Sequence, residues 1–235
     1  MQEEFMTHPE HRPGPSDTPG TAYPPAPWVL RGDMFGVLLR MAPGSVPAEL
    51  LPEHIRVRRR DGSVLAAVVW VDYRRGSVLE YRELMVTAMT RLTLPLTGTV
   101  LRIWVETEPS MEGGRALWRI PKELAGFSFQ QHGGTGFAGS IAVGGTELAS
   151  YRFTPRFTVP GRWPSNLIIR QDCGPGLRRT VCAMRGRLQV GRGELVVPED
   201  SELAFLNSGS VITHMAIRDF DARFGVRSTD LPADR

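Results

Sequence analysis

A single lysine stands in a chain of 235 residues in which Lys and Arg together number 28. That lysine is Lys122, and every other fixed cation is an arginine. A coding bias toward Arg accounts for most of the ratio, since Arg replaces Lys wherever a surface cation suffices. It cannot do so where the amine must shed its proton, because guanidinium stays charged in proteins while a buried ammonium can be neutralised. A neutral amine is a nucleophile that condenses with ketones. An ordinary lysine, with a pKa of ~10.4, is neutral only about a few times in ten thousand at pH 7. Its surroundings therefore decide. Lys122 follows Pro121, and Pro is favoured at the first position of a helix. Pro121–Ala125 thus predicts a short helical turn, closed by Gly126. The dipole at the start of that turn disfavours ammonium. Leu117, Trp118, Ile120, Leu124 and Phe127 add an apolar setting, and burial lowers a lysine pKa by up to ~3–5 units. The expectation is a buried Lys122 with a depressed pKa.

A carboxylate stands out for a different reason. With strand alternation, Leu79, Tyr81, Glu83, Met85 and Met89 share one face, and Glu80 and Arg82 the other. A carboxylate on an apolar face must be paired, protonated or functional. Other motifs carry less. Gly134-Thr-Gly136-Phe-Ala-Gly139 satisfies G-x-G-x-x-G, but a strand-like stretch and turn follow it where a dinucleotide site needs a helix, so these read as hairpin glycines. No Walker A loop, G-x-S-x-G elbow or H-E-x-x-H is present. Cys173 and Cys182 are the only cysteines, and their spacing matches no zinc pattern. No metal site is expected.

The elements that must position Lys122 and Glu83 are mostly strands. Val64–Tyr73, Val100–Val105 and Asn166–Arg170 are short apolar or alternating runs, and glycine-rich turns, Gly113-Gly114 among them, separate such runs along the chain. That spacing indicates antiparallel hairpins in a sheet or barrel. Helical pattern is scarce: Val46–His54 is one broken candidate, and His214–Phe224 fits neither period. Arg56–Arg60 runs into Asp61-Gly62, a hairpin signal, and reads as a solvated shoulder. Seven prolines before Val29 make residues 1–22 a flexible arm. The domain is expected over 23–228, with a polar tail over 229–235.

At the lysine a resemblance becomes specific. Gly114-Arg-Ala-Leu-Trp-Arg-Ile-Pro-Lys-Glu-Leu-Ala125 resembles the G-R-E-L-x-x-x-P-K-K-L segment of the acetoacetate decarboxylase superfamily. The lysine of that family is itself a standard example of a nucleophile tuned by desolvation or a neighbouring cation. Pro25-Ala-Pro-Trp28, Tyr81-Arg-Glu83 and Asp219–Gly225 are similar to further family features, so the likeness spans about residues 23 to 226. Two positions depart from it: the second Lys is Glu123 here, and the Glu of G-R-E-L is Ala116. Neighbours in sequence do not face each other on a helical turn, so desolvation is left to tune Lys122.

The resemblance implies a mainly β (α+β) fold, an antiparallel barrel wrapped by sheet with few short helices. It implies that Lys122 forms a Schiff base with a small keto acid and that Glu83 is the acid/base. Arg31 or Arg115 would hold the substrate carboxylate, and Tyr81, Trp118 and Met85 would line the substrate pocket. Decarboxylation is the first expectation. Aldolase, dehydratase or cyclase chemistry on an α-keto acid is the alternative, and a non-catalytic ligand-binding relative a further one. No cofactor is expected, because the protein's own amine supplies the electron sink. The net charge of +3 and the lack of a basic, aromatic-interleaved face exclude nucleic acid as the expected partner. No apolar run approaches a membrane span. A cytoplasmic homo-oligomer acting on a small molecule is expected.

Overall fold

The computed structural model describes residues 22–132, 136–174 and 176–232. Their elements are β1 (Trp28–Met41), β2 (Val64–Tyr73), β3 (Tyr81–Arg91), β4 (Leu96–Val105), α1 (Glu108–Trp118), β5 (Lys122–Leu124), β6 (Gly126–His132), β7 (Gly136–Val143), β8 (Thr146–Thr158), β9 (Trp163–Pro164), β10 (Leu167–Asp172), β11 (Gly176–Val196) and β12 (Ser210–Pro232). Seven of them close a barrel in the order β10, β4, β3, β2, β1, β12, β11, with β11 pairing back to β10. Every pairing in this ring is antiparallel except the short β10–β4 contact, which is parallel. Strand β11 outruns the barrel, and its far half, Gln189–Val196, pairs with β8. Strands β8, β7 and β6 then form an antiparallel sheet laid over the barrel's outside.

Strand alternation divides the apolar residues into two cores. On β3, Leu84, Val86 and Ala88 point outward and pack with Trp70, Phe137, Tyr151 and Phe153 beneath the covering sheet. The other face turns Trp28, Leu30, Val71, Ile103 and Phe220 into the barrel. Both faces of these strands are therefore buried, which is why Val64–Tyr73 reads as nearly continuous hydrophobic sequence.

Several elements differ from the sequence expectation. The Val46–His54 candidate is helical only as a single turn over Ala48–Leu50. An unexpected helix, α1, opens at Thr107-Glu108-Pro109, and Gly113-Gly114, which read as a turn, lie inside it. The ambiguous His214–Phe224 stretch belongs to β12, whose period breaks at Arg218-Asp219. There the strand bulges and Asp219 adopts φ 48°. The bulge faces a matching irregularity on β1 at Asp33, which is fully buried. Its carboxylate accepts the Asp219 N–H at 2.7 Å and pairs with Arg74 and with Arg218 at 3.1 Å.

Residues 229–232, expected in a polar tail, instead extend β12 and pair with Gly176–Arg179. The arm expected over 1–22 lies, except for Ala22, outside the described residues. So does part of the G-x-G-x-x-G stretch, although β6 and β7 on either side do pair as a hairpin. Arg56, Arg58, Arg59 and Arg60 are exposed, leading into a turn at Gly62 with φ 79°.

Candidate active site

Lys122 is reached by a tight reversal. Helix α1 ends where Arg119 enters the left-handed region, and the Ile120 N–H donates back to the Gly114 carbonyl at 3.1 Å. The chain then enters β5, a three-residue strand parallel to β4, with Lys122 beside Ile103. The expected helical turn at Pro121–Ala125 is thus an extended segment, held by β4 after Pro121 has ended the reversal. Extended geometry separates the two neighbours that sequence left in doubt. Lys122 points into the barrel, while Glu123 points outward to Arg102 at 3.4 Å.

Glycine makes the approach possible. A Cβ on Gly114 would lie 2.6 Å from Lys122 Cδ, and one on Gly113 would lie 2.5 Å from Trp28 Cζ2. The lysine stem therefore runs directly over the helix backbone. Its tip meets three acceptors, Glu83 Oε2 at 2.9 Å, Ser110 Oγ at 3.0 Å and the Tyr81 hydroxyl at 3.3 Å. The ring faces of Tyr81 and Trp28 lie 5.1 and 5.8 Å from Nζ. An ammonium has three protons to donate, and each finds a partner.

Glu83 comes from β3, on the face that alternation assigned to it. The side chains of Lys122 and Glu83 are each 5% exposed. The Tyr73 hydroxyl donates to Glu83 Oε1 at 3.2 Å, and Tyr81 lies 3.5 Å from Oε2. Two effects oppose each other at Lys122. Burial pulls its pKa down, but the Glu83 carboxylate and the Tyr81 oxygen outweigh it and hold the ammonium above its ordinary value. The expectation of a depressed pKa is therefore overturned, because sequence could supply the burial but not the countercharge. Burial also pushes Tyr81 up to about 12. Tyr73 moves upward too, through burial and then the neighbouring carboxylate.

The pair stands in the wall of a cavity of about 400 Å³ that occupies the barrel interior. Tyr81, Trp118 and Met85 line it with Lys122 and Glu83. Arg31 and Arg115 do not. Arg31 points outward from β1 to Asp221 at 3.1 Å, and Arg115 lies on the exposed side of α1. Among the described residues the lining contains no arginine. Sequence reasoning missed Ser110 and Tyr73. Tyr73 carried a usable signal, since it shares an alternating face with Val71. Ser110 carried none until α1 was recognised. Cys182 also lines the cavity, its thiol pushed up to about 12 by burial and so unreactive.

The acetoacetate decarboxylase profile matches residues 12–176. The chain belongs to the acetoacetate decarboxylase family. Solved structures repeat its fold at low identity. Acetoacetate decarboxylase from Legionella pneumophila is 14% identical with a TM-score of 0.68, covering 92% of each chain. An acetoacetate decarboxylase-like enzyme from Sphingomonas wittichii is 18% identical at 0.67, over 92% of this chain and 97% of its own. The enduracididine biosynthesis enzyme MppR, solved with pyruvate, is 14% identical at 0.64, over 90% and 93%. No curated protein matches the sequence. In this family member the barrel, the lysine after proline and the buried carboxylate occur together.

Proposed function

We propose that the protein is a Schiff-base enzyme that decarboxylates a β-keto acid. The observation that carries this is the buried Lys122–Glu83 pair facing an apolar cavity. Lys122 passes a proton to Glu83, and the freed amine attacks the keto carbon. Protonated Glu83 gives its proton to the departing hydroxyl, so water leaves and an iminium remains. The bond to the carboxylate breaks, its electron pair moves into the iminium, and carbon dioxide departs from the resulting enamine. Glu83 takes one proton from solvent and delivers it to the enamine carbon. Hydrolysis then releases the ketone and restores the ammonium–carboxylate pair. Ser110, Tyr73 and Tyr81 hold the two groups in reach of each other.

The lining also favours this reaction over chemistry on an α-keto acid. An aldolase must keep its substrate carboxylate and needs a cation to hold it, and no arginine faces the cavity among the described residues. A decarboxylase discharges that carboxylate, and apolar surroundings favour the charge-dispersed transition state over the ionised ground state. Acetoacetate and pyruvate separate the two readings. The decarboxylase should release carbon dioxide and ketone from a β-keto acid in a Lys122-dependent reaction. Pyruvate trapped on Lys122 by borohydride, with no gas from any β-keto acid, would favour the aldolase reading.

A further inference from the structure

Small barrels normally fill their interiors with side chains, and empty apolar volume is costly to a fold. A void of ~150 Å³ already holds benzene, so about 400 Å³ is far more than a keto acid the size of acetoacetate requires. The shape of the excess is informative. On β3 the lining residues run Glu83, Met85, Thr87, Met89, and their β2 partners Val71, Val69 and Ala67 descend in step. Six residue steps at ~3.3 Å carry this wall roughly 20 Å from the carboxylate. Those six steps end at Met89, and beyond β3 the lining continues to Leu92, which is 46% exposed. Away from the Lys122 end the wall is aliphatic or thioether, with Thr87 and Ser165 as its hydroxyls.

Five of the chain's nine methionines, Met34, Met85, Met89, Met184 and Met215, face this space. Methionine packs adaptably around flexible partners, and so suits an alkyl chain better than a rigid ring. We infer that the substrate is a β-keto acid with an unbranched alkyl tail of medium length, laid along β2 and β3 from Glu83 toward Leu92. This rests on the Schiff-base reading for its head group. The tail site rests on the cavity alone.

The test is a chain-length series. Lys122-dependent carbon dioxide release is measured for acetoacetate, β-ketohexanoate, β-ketooctanoate and β-ketodecanoate. Each buried methylene contributes ~0.8 kcal/mol, so kcat/KM should rise about fourfold per methylene until the cavity is full. Ala67→Phe, and separately Leu92→Asp, should lower the ratio of long-chain to acetoacetate kcat/KM. Calorimetric binding of the matching β-hydroxy acids, which cannot form an imine, reads the tail site without chemistry. Affinity rising with chain length supports the tail site even if no substrate turns over, an outcome that would sink the Schiff-base reading and the keto-acid head group with it. Flat or falling dependence in both series would overturn the tail site, whatever acetoacetate does.

Discussion

Lys122 and Glu83 neutralise each other out of water, and this determines what each substitution does. Removing one member of a buried pair strands the other charge, at about 3–5 kcal/mol. Lys122→Met should therefore lower the unfolding free energy by that much in urea titrations, and adding Glu83→Gln should recover much of it. A loss under about 1 kcal/mol would mean that water reaches Glu83. The pH dependence has a defined sign. Because the folded-state pKa of Lys122 is raised, the pair's stabilisation is complete below the ordinary lysine pKa and is lost as pH climbs through the raised one. Wild-type stability should thus fall in the alkaline range, measured by urea unfolding, by an amount absent from Lys122→Met. Glu83→Gln removes the countercharge and leaves burial in control. Its borohydride-trapping midpoint should move to lower pH than wild type, while turnover falls about 10²–10⁴-fold. A trapping midpoint that stayed in place would separate Glu83 from the amine. Both residues were legible in sequence, one by being the sole lysine and the other by the parity of its strand. The sign of the pKa shift was not, since it depends on a 2.9 Å contact between residues 39 apart.

At the scale of elements, the reversal between α1 and β5 determines where the amine sits. Ala is a better helix former than Gly by about 1 kcal/mol, yet Gly114→Ala places a methyl group against the Lys122 stem. Displacing a reacting group by about 1 Å can cost ~10²-fold, and kcat/KM should fall on that scale. An unchanged rate would mean that β5 alone positions the lysine. These elements show why local pattern misled. Gly113 and Gly114 read as turn residues, but they are glycines because Trp28 and Lys122 cross the helix there. Pro121-Lys-Glu-Leu-Ala reads as helix from its proline, whereas pairing with β4 makes it strand. Strand β12 lost its period because a bulge at Asp219 shifts the alternation. Each miss reflects a tertiary contact overriding a local preference.

For the whole molecule, the alternating runs and hairpin glycines indicated sheet or barrel, and the resemblance supplied its closure and wrapping. Neither could show that β10 joins β4 in parallel, nor that the interior stays open. Closure gives the site its character: an apolar interior with, among the described residues, a single ion pair in its wall. Arginine selection also acts at this scale, since strand parity turns Arg31 outward to Asp221 and leaves the cavity to Lys122. The central claim is that Lys122 forms an imine with a keto substrate. Borohydride reduction in the presence of a β-keto acid or its product ketone, followed by intact mass and digestion, tests it directly. With one lysine in the chain, a single mass increment is expected on the peptide carrying Lys122, absent from Lys122→Arg. No increment with any keto compound, or one confined to the N-terminal amine, would contradict it.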